Sequence, residues 1–155
     1  MRKNTINLVQ HCFMNFLWLG VIASLFFPPL ETSLTIEITN IKYPKGTLRL
    51  GVFRAENTFG STYTKPDFGQ MVTVNGSETL RTVIKLPPGQ YAMALYHDIN
   101  DNLKLDKNMV GIPKEPFGFS NNYRPVFSGP KFEDCIFEVK ENGGSYLKIK
   151  LLSIF

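Results

Sequence analysis

From Leu34 onward the chain alternates apolar and polar residues with a period of two. In LTIEITNI, Leu34, Ile36 and Ile38 fall on one side, and Thr35, Glu37 and Thr39 on the other. GTLRLGVFR groups Leu48, Leu50 and Val52 in the same way, and ETLRTVIKL groups Leu80, Ile84 and Leu86. Successive side chains of a strand point to opposite faces, so this is the pattern of strands half buried in a sheet. QYAMALYH is apolar on both sides and reads as a central strand. No helical period is visible beyond position 33. The core must therefore come from sheets.

Turn signals separate these runs. Asn75-Gly76 lies between QMVTV and SETL, and Asn142-Gly143 lies between CIFEVK and SYLKIKLL. Both dipeptides supply the positive φ angles of a tight hairpin. LPPGQY adds a Pro-Gly turn. The pattern predicts six or seven short strands, with CIFEVK paired to SYLKIKLL. The expected class is all-β, an antiparallel β-sandwich with an immunoglobulin-like or transthyretin-like Greek key. A small closed barrel is the alternative.

Residues 1–33 follow a different rule. Arg2 and Lys3 precede an apolar run, Phe13 to Phe27, interrupted by Asn15, Gly20 and Ser24 and ended by Pro28 and Pro29. A charged start followed by an apolar stretch is the form of a secretory signal, here one apolar helix. The run is short of the roughly 20 residues that span a bilayer. The division is thus a signal peptide or signal anchor at 1–33 and a β-sandwich domain at 34–155. The product is expected to be exported: periplasmic, on the cell surface, or secreted. Membrane contact comes only through the first segment, which anchors the chain if it is not cleaved.

Two cysteines fall in different segments, Cys12 and Cys135, so the exported domain has no internal disulfide. Cys135 alternates with Phe137 and Val139, which places it as a buried, inert thiol. Of the formal charge of +4, the part from Leu34 onward carries 15 basic and 12 acidic residues. They are scattered from Lys42 to Lys150 without a block, which argues against a nucleic-acid groove.

The densest polar stretch is HDINDNLKLDKN, residues 97–108. With Asp98 first, Asn100, Asn102, Lys104 and Asp106 occupy alternate positions. A curled loop of this spacing can aim oxygens at one calcium ion, Lys104 through its carbonyl. A calcium loop usually has Gly at the sixth position and a bidentate Glu at the twelfth; here these are Leu103 and Met109. An Asx-rich turn without metal is the competing reading. His97 and Asp98 are adjacent on a strand and must diverge, so they do not form a dyad. No catalytic residue is assigned. A hydrolase centred on His97 would need Glu115, Glu133, Asp134 or another carboxylate as its partner in space.

Residues 107–131 form a long stretch rich in Gly and Pro that also carries Phe117, Phe119, Tyr123 and Phe127. Long irregular segments in small domains are often functional. The rings either staple the loop across one end of the sandwich or form a platform for a ligand, with Phe117, Phe119 and Tyr123 as contacts.

The run PPGQYAMALYHDINDNLKLDKNMVGIPKEPFGFSNN resembles a family of exported bacterial proteins known as a domain of unknown function. The resemblance rests on Gly89, Tyr91, Ala92, His97, Asp98, Asn100, Asn102 and Asp106, then on Gly111, Ile112, Pro113, Glu115, Gly118, Phe119, Ser120 and Asn121. PKFEDCIFEV looks like the family's closing strand. The resemblance covers Leu34 to the C-terminus. It implies a signal peptide and a likeness to β-sandwich modules of cell-surface proteins, with no reaction to carry over. The family's loop usually has Gly at the position of Leu103.

The expected function is a non-enzymatic, exported β-sandwich whose acidic loop braces it, with calcium as a weak ligand. The alternative is a module for glycans or other ligands that uses the loop aromatics; a hydrolase at His97 is third. No specific partner is legible; a cell-surface protein or a glycan fits the class.

Overall fold

The computed structural model describes residues 30–55, 59, 65–126, 128–141 and 144–154. The expected N-terminal apolar helix and the Asn142-Gly143 turn lie outside the described residues. Eight strands are present: β1 Thr32–Thr39, β2 Thr47–Phe53, β3 Phe68–Thr73, β4 Thr79–Leu86, β5 Gly89–Asp98, β6 Phe117–Phe119, β7 Phe137–Val139 and β8 Ser145–Lys150. Two single 3-10 turns, Ser120–Asn122 and Glu133–Cys135, interrupt the later part. The alternation begins two residues before Leu34, at Thr32.

The strands form two sheets. One has the order β4-β1-β8, the other β3-β2-β5-β6, with β7 also paired to β5. One apolar core serves both sheets. Ile36 and Ile38 from β1 and Ile149 from β8 meet Leu48, Leu50 and Val52 from β2 and Tyr91, Met93 and Leu95 from β5. These are the residues whose spacing of two put them on one face.

The expected antiparallel order holds except at β1 and β8, which run parallel, from Leu34 opposite Ser145 to Thr39 opposite Lys150. A parallel pair needs a long connection between its strands. Here nearly the whole domain lies between them. Period two is identical in both arrangements, so the spacing of side chains carries no trace of the difference.

The hairpins are a second correction. Asn75-Gly76 does make a turn: Gly76 has φ of +87°, and the Ser77 amide donates to Asn75 Oδ1 at 3.3 Å. Yet it leads from β3 in the larger sheet to β4 in the smaller one. Pro87-Pro88 leads back from β4 to β5 in the larger sheet. CIFEVK and SYLKIKLL do not pair either: β7 joins β5, and β8 joins β1. Stacked sheets lie about 10 Å apart, and three extended residues span about that distance. A short turn can therefore cross between sheets as readily as it reverses within one. Cys135 is buried as expected, but it sits in a 3-10 turn, with β7 beginning only at Phe137.

The larger sheet is covered on both faces. Its outer side carries a second apolar group, Phe53, Phe59, Ala92 and Cys135, with Phe119, Tyr123 and Phe132 packed against it. This explains why β5 is apolar on both sides. The segment that supplies the cover is the 107–131 stretch, which is partly regular: β6 and the Ser120–Asn122 turn lie within it.

Candidate functional site

At the end of β5 the strand alternation separates His97 from Asp98. His97 faces inward, wholly buried, with Nε2 2.7 Å from the Lys45 carbonyl. A carbonyl only accepts, so Nε2 carries the proton in that bond. Glu115, a candidate carboxylate partner for His97, is used elsewhere. Its Oε1 accepts from the Ile99 amide at 2.9 Å and its Oε2 from the Asp106 amide at 3.0 Å. Asp134 accepts from the Lys131 amide at 3.1 Å.

Asp98 faces outward yet is fully buried, because the loop closes over it. Its Oδ1 accepts from the Asn102 amide at 3.0 Å and its Oδ2 from the Leu103 amide at 2.9 Å. Arg49 Nε on β2 also donates to Oδ2, at 2.6 Å. Burial pushes this carboxyl up, but Arg49 and the two amides outweigh burial and hold it below the usual carboxylate range. Above it, Asn100 Nδ2 donates to Asp106 Oδ2 at 2.9 Å, and Asn102 Nδ2 to Asp106 Oδ1 at 3.1 Å. Asn100 and Asn102 also accept amides two residues on, the Asx turn in its usual form. The structure thus brings Asn100, Asn102 and Asp106 together over Asp98. Lys104 joins only through its backbone; its side chain is exposed. Among the described residues, no group of three or more His, Cys, Asp or Glu is arranged to hold a metal ion.

Leu103 has φ of +68° and is two-thirds exposed. The chain turns sharply where a glycine is usual, and a leucine takes the left-handed conformation instead. That costs about 1–2 kcal/mol, which the Leu103 amide bond to Asp98 helps to offset.

The second half of the unit latches the loop to the fold. Asn108 Oδ1 accepts the amides of Val110 and Ile112. Gly118 lies so close to β8 that a Cβ there would be 2.8 Å from Ile149 Cγ2. Ser120 is wholly buried; its hydroxyl accepts from the Met93 amide at 2.9 Å and donates to the Cys135 carbonyl. Asn121 donates to the Ile136 carbonyl at 2.8 Å. Asn122 stands against the edge of β8, accepting from the Lys150 amide at 2.7 Å and donating to the Lys148 carbonyl at 3.2 Å. The Gly-Phe-Ser-Asn-Asn run therefore ties β5, β8 and the Cys135 turn together. The Cys135 thiol, pushed up to about 11 chiefly by burial, is kept neutral and unreactive.

Between this loop and the outer face of the larger sheet lies an open cleft of about 740 Å³. Strand register explains it. Gly69, Gly51 and Ala94 stand side by side across β3, β2 and β5, and the row ends at Phe119 on β6. Small residues in line leave the sheet hollow there. The next row is Met71, Arg49, Tyr96 and Phe117. Ile112-Pro113 and Pro125-Val126 form walls, and Arg49, Tyr96 and Lys107 are the main polar groups in the lining. The hydroxyl of Tyr96 is pushed up by burial.

Of the three expected ligand rings, Phe117 is buried, Phe119 and Tyr123 are half-buried, and only Phe117 and Phe119 line the cleft. They pack edge to face, Phe117 to Phe119 at 5.8 Å and Phe119 to Tyr123 at 6.5 Å, rather than presenting open faces. Sequence reasoning missed Arg49, Gly51, Ala94 and Tyr96. The signal for Gly51 was available: a glycine inside a strand pattern marks a close approach or an open space.

A family model described as "Uncharacterized protein conserved in bacteria (DUF2141)" matches residues 36–146. No curated protein and no solved structure matches the chain.

Proposed function

Since the chain belongs to this bacterial family of uncharacterized proteins, we propose that it is a non-enzymatic, exported binding module. In this reading its two sheets form a Greek-key β-sandwich, and the 98–122 unit holds open a cleft for a small apolar ligand. The observation that carries it is the cleft itself. Its volume lies in the range of ligand sites, and its lining is apolar with a few polar groups gathered at the Arg49–Tyr96 end. The half-buried packing of the rings favours an apolar molecule over a sugar face stacked in the open. Export is supported by the charged and apolar start of the chain. Calcium enters as a weak additional brace, resting on the D-x-N-x-N-x-x-x-D spacing; hydrogen bonds already hold the loop.

The test is titration with an apolar fluorescent anion, anilinonaphthalene sulfonate, followed by filling the floor. Ala94→Leu and Ala94→Phe should weaken probe binding in that order while leaving the melting temperature close to that of the parent. Equal binding by all three proteins, or probe fluorescence that appears only as the protein melts, would sink the proposal.

A further inference from the structure

The smaller sheet turns its second face to solvent. Its rows follow from the register: Lys85 opposite Ser33; Val83, Thr35 and Tyr146; Arg81, Glu37 and Lys148; Thr79, Thr39 and Lys150. Arg81, Lys85, Tyr146, Lys148 and Lys150 are exposed. Glu37 is sunk between its neighbours, 2.6 Å from Arg81 Nη2 and 2.9 Å from Lys148 Nζ. Its charge is answered within its own row. The face therefore carries four cations and one carboxylate, net +3. The chain from Leu34 onward has 15 basic and 12 acidic residues, also net +3. The rest of that domain is balanced, 11 against 11, so its whole excess of positive charge sits on one flat face. At the β8 edge of this face a recess of about 220 Å³ is lined by Thr39, Asn122, Arg124, Lys148, Lys150 and Leu152. Three cations line it and no carboxylate does.

We propose that this face binds an anionic polysaccharide. One acidic substituent, a carboxylate, sulfate or phosphate, sits in the Arg124–Lys148–Lys150 recess, and the sugar chain crosses Tyr146 toward Lys85. Strands hold their side chains about 7 Å apart along a face and about 4.8 Å apart across it. The cations are thus presented as a fixed array, suited to a repeating polyanion. Tyr146 adds an amphipathic ring in its path. An anionic membrane would meet the same charge. Binding at a membrane interface also draws on buried apolar area, and this face offers only Val83 and Tyr146. The site lies on the opposite sheet from the cleft and does not depend on it.

Binding of the full-length chain to polygalacturonate at low salt tests this, with neutral dextran, phosphatidylglycerol vesicles and a single-stranded oligonucleotide as comparisons. The expected result is salt-sensitive binding to polygalacturonate and none to dextran. The pair Arg124→Gln and Lys150→Gln should weaken it roughly tenfold or more. The pair Lys42→Gln and Lys114→Gln, which removes the same charge elsewhere, should change it little. Equal losses from both pairs would mean net charge alone and overturn the proposal. So would an absence of binding, or tighter binding to vesicles or oligonucleotide than to the polysaccharide. Melting temperatures close to that of the parent exclude misfolding as the cause.

Discussion

Asp98→Asn keeps the shape of the buried side chain and removes its charge. In the parent, Oδ2 receives Arg49 Nε and the Leu103 amide, and Oδ1 receives the Asn102 amide. The better orientation of the new amide keeps its oxygen at the Oδ2 place. Its NH2 then faces the Asn102 amide, which has a second acceptor in Asn100 Oδ1 at 3.2 Å. Two losses follow. The bond to Arg49 falls from a charged to a neutral one, about 1–1.5 kcal/mol, and one buried donor pair is mismatched, about 1–3 kcal/mol. The relief of not burying a carboxylate offsets part of this. The net destabilisation should be about 2–3 kcal/mol, read from urea unfolding at neutral pH. The acid behaviour checks the cause. The folded Asp98 titrates below its unfolded value of about 3.9. Its ionic contribution is fully present above that unfolded value and is lost as pH falls through the folded one. The gap between parent and variant should therefore close in acid. A gap under about 0.5 kcal/mol at neutral pH, within the scatter of ordinary surface changes, would refute the reasoning. So would one that stays constant down to about pH 3.

Three further outcomes are expected. Gly46→Ala places a Cβ 2.3 Å from the Asp98 carbonyl oxygen at a φ of +90°, so strain and overpacking together should cost about 3 kcal/mol or more. A urea midpoint near that of the parent would count against the close contact. Glu37, held at about 2 by Lys148, Arg81 and Tyr146, contributes stability that is complete above its ordinary value of 4.5 and is lost as pH falls through about 2. The parent should thus lose more melting temperature across that window than Glu37→Gln does, and parallel curves would contradict the ion pairs. Saturating calcium should raise stability by about 1–2 kcal/mol over chelator if the loop is a ligand set, and identical melts at millimolar calcium would end that proposal.

Much of the fold was legible because burial acts locally on a strand. Leu34, Ile36 and Ile38 must share a face whatever the topology, and the divergence of His97 and Asp98 follows from the same geometry. The Asx chemistry of residues 98–108 was legible for a similar reason, since each Asn bonds its own backbone two residues on. The left-handed turn at Leu103 was foreseen only as a place where glycine belongs, and the chain bends there regardless.

What the sequence by itself determined, then, is everything that follows from period two and from short-range polar bonding: the strands, their inward faces, and the curl of the acidic loop. Only the tertiary structure decided which strands became neighbours. It ran β1 and β8 parallel, sent the Asn75-Gly76 turn across sheets, and set Gly69, Gly51 and Ala94 in one row to open the cleft. It also gathered Arg81, Lys85, Lys148 and Lys150 from two strands onto one face. Neighbour choice depends on how the two sheets close over a shared core. Spacing along the chain does not carry that information, because the same alternation satisfies many pairings.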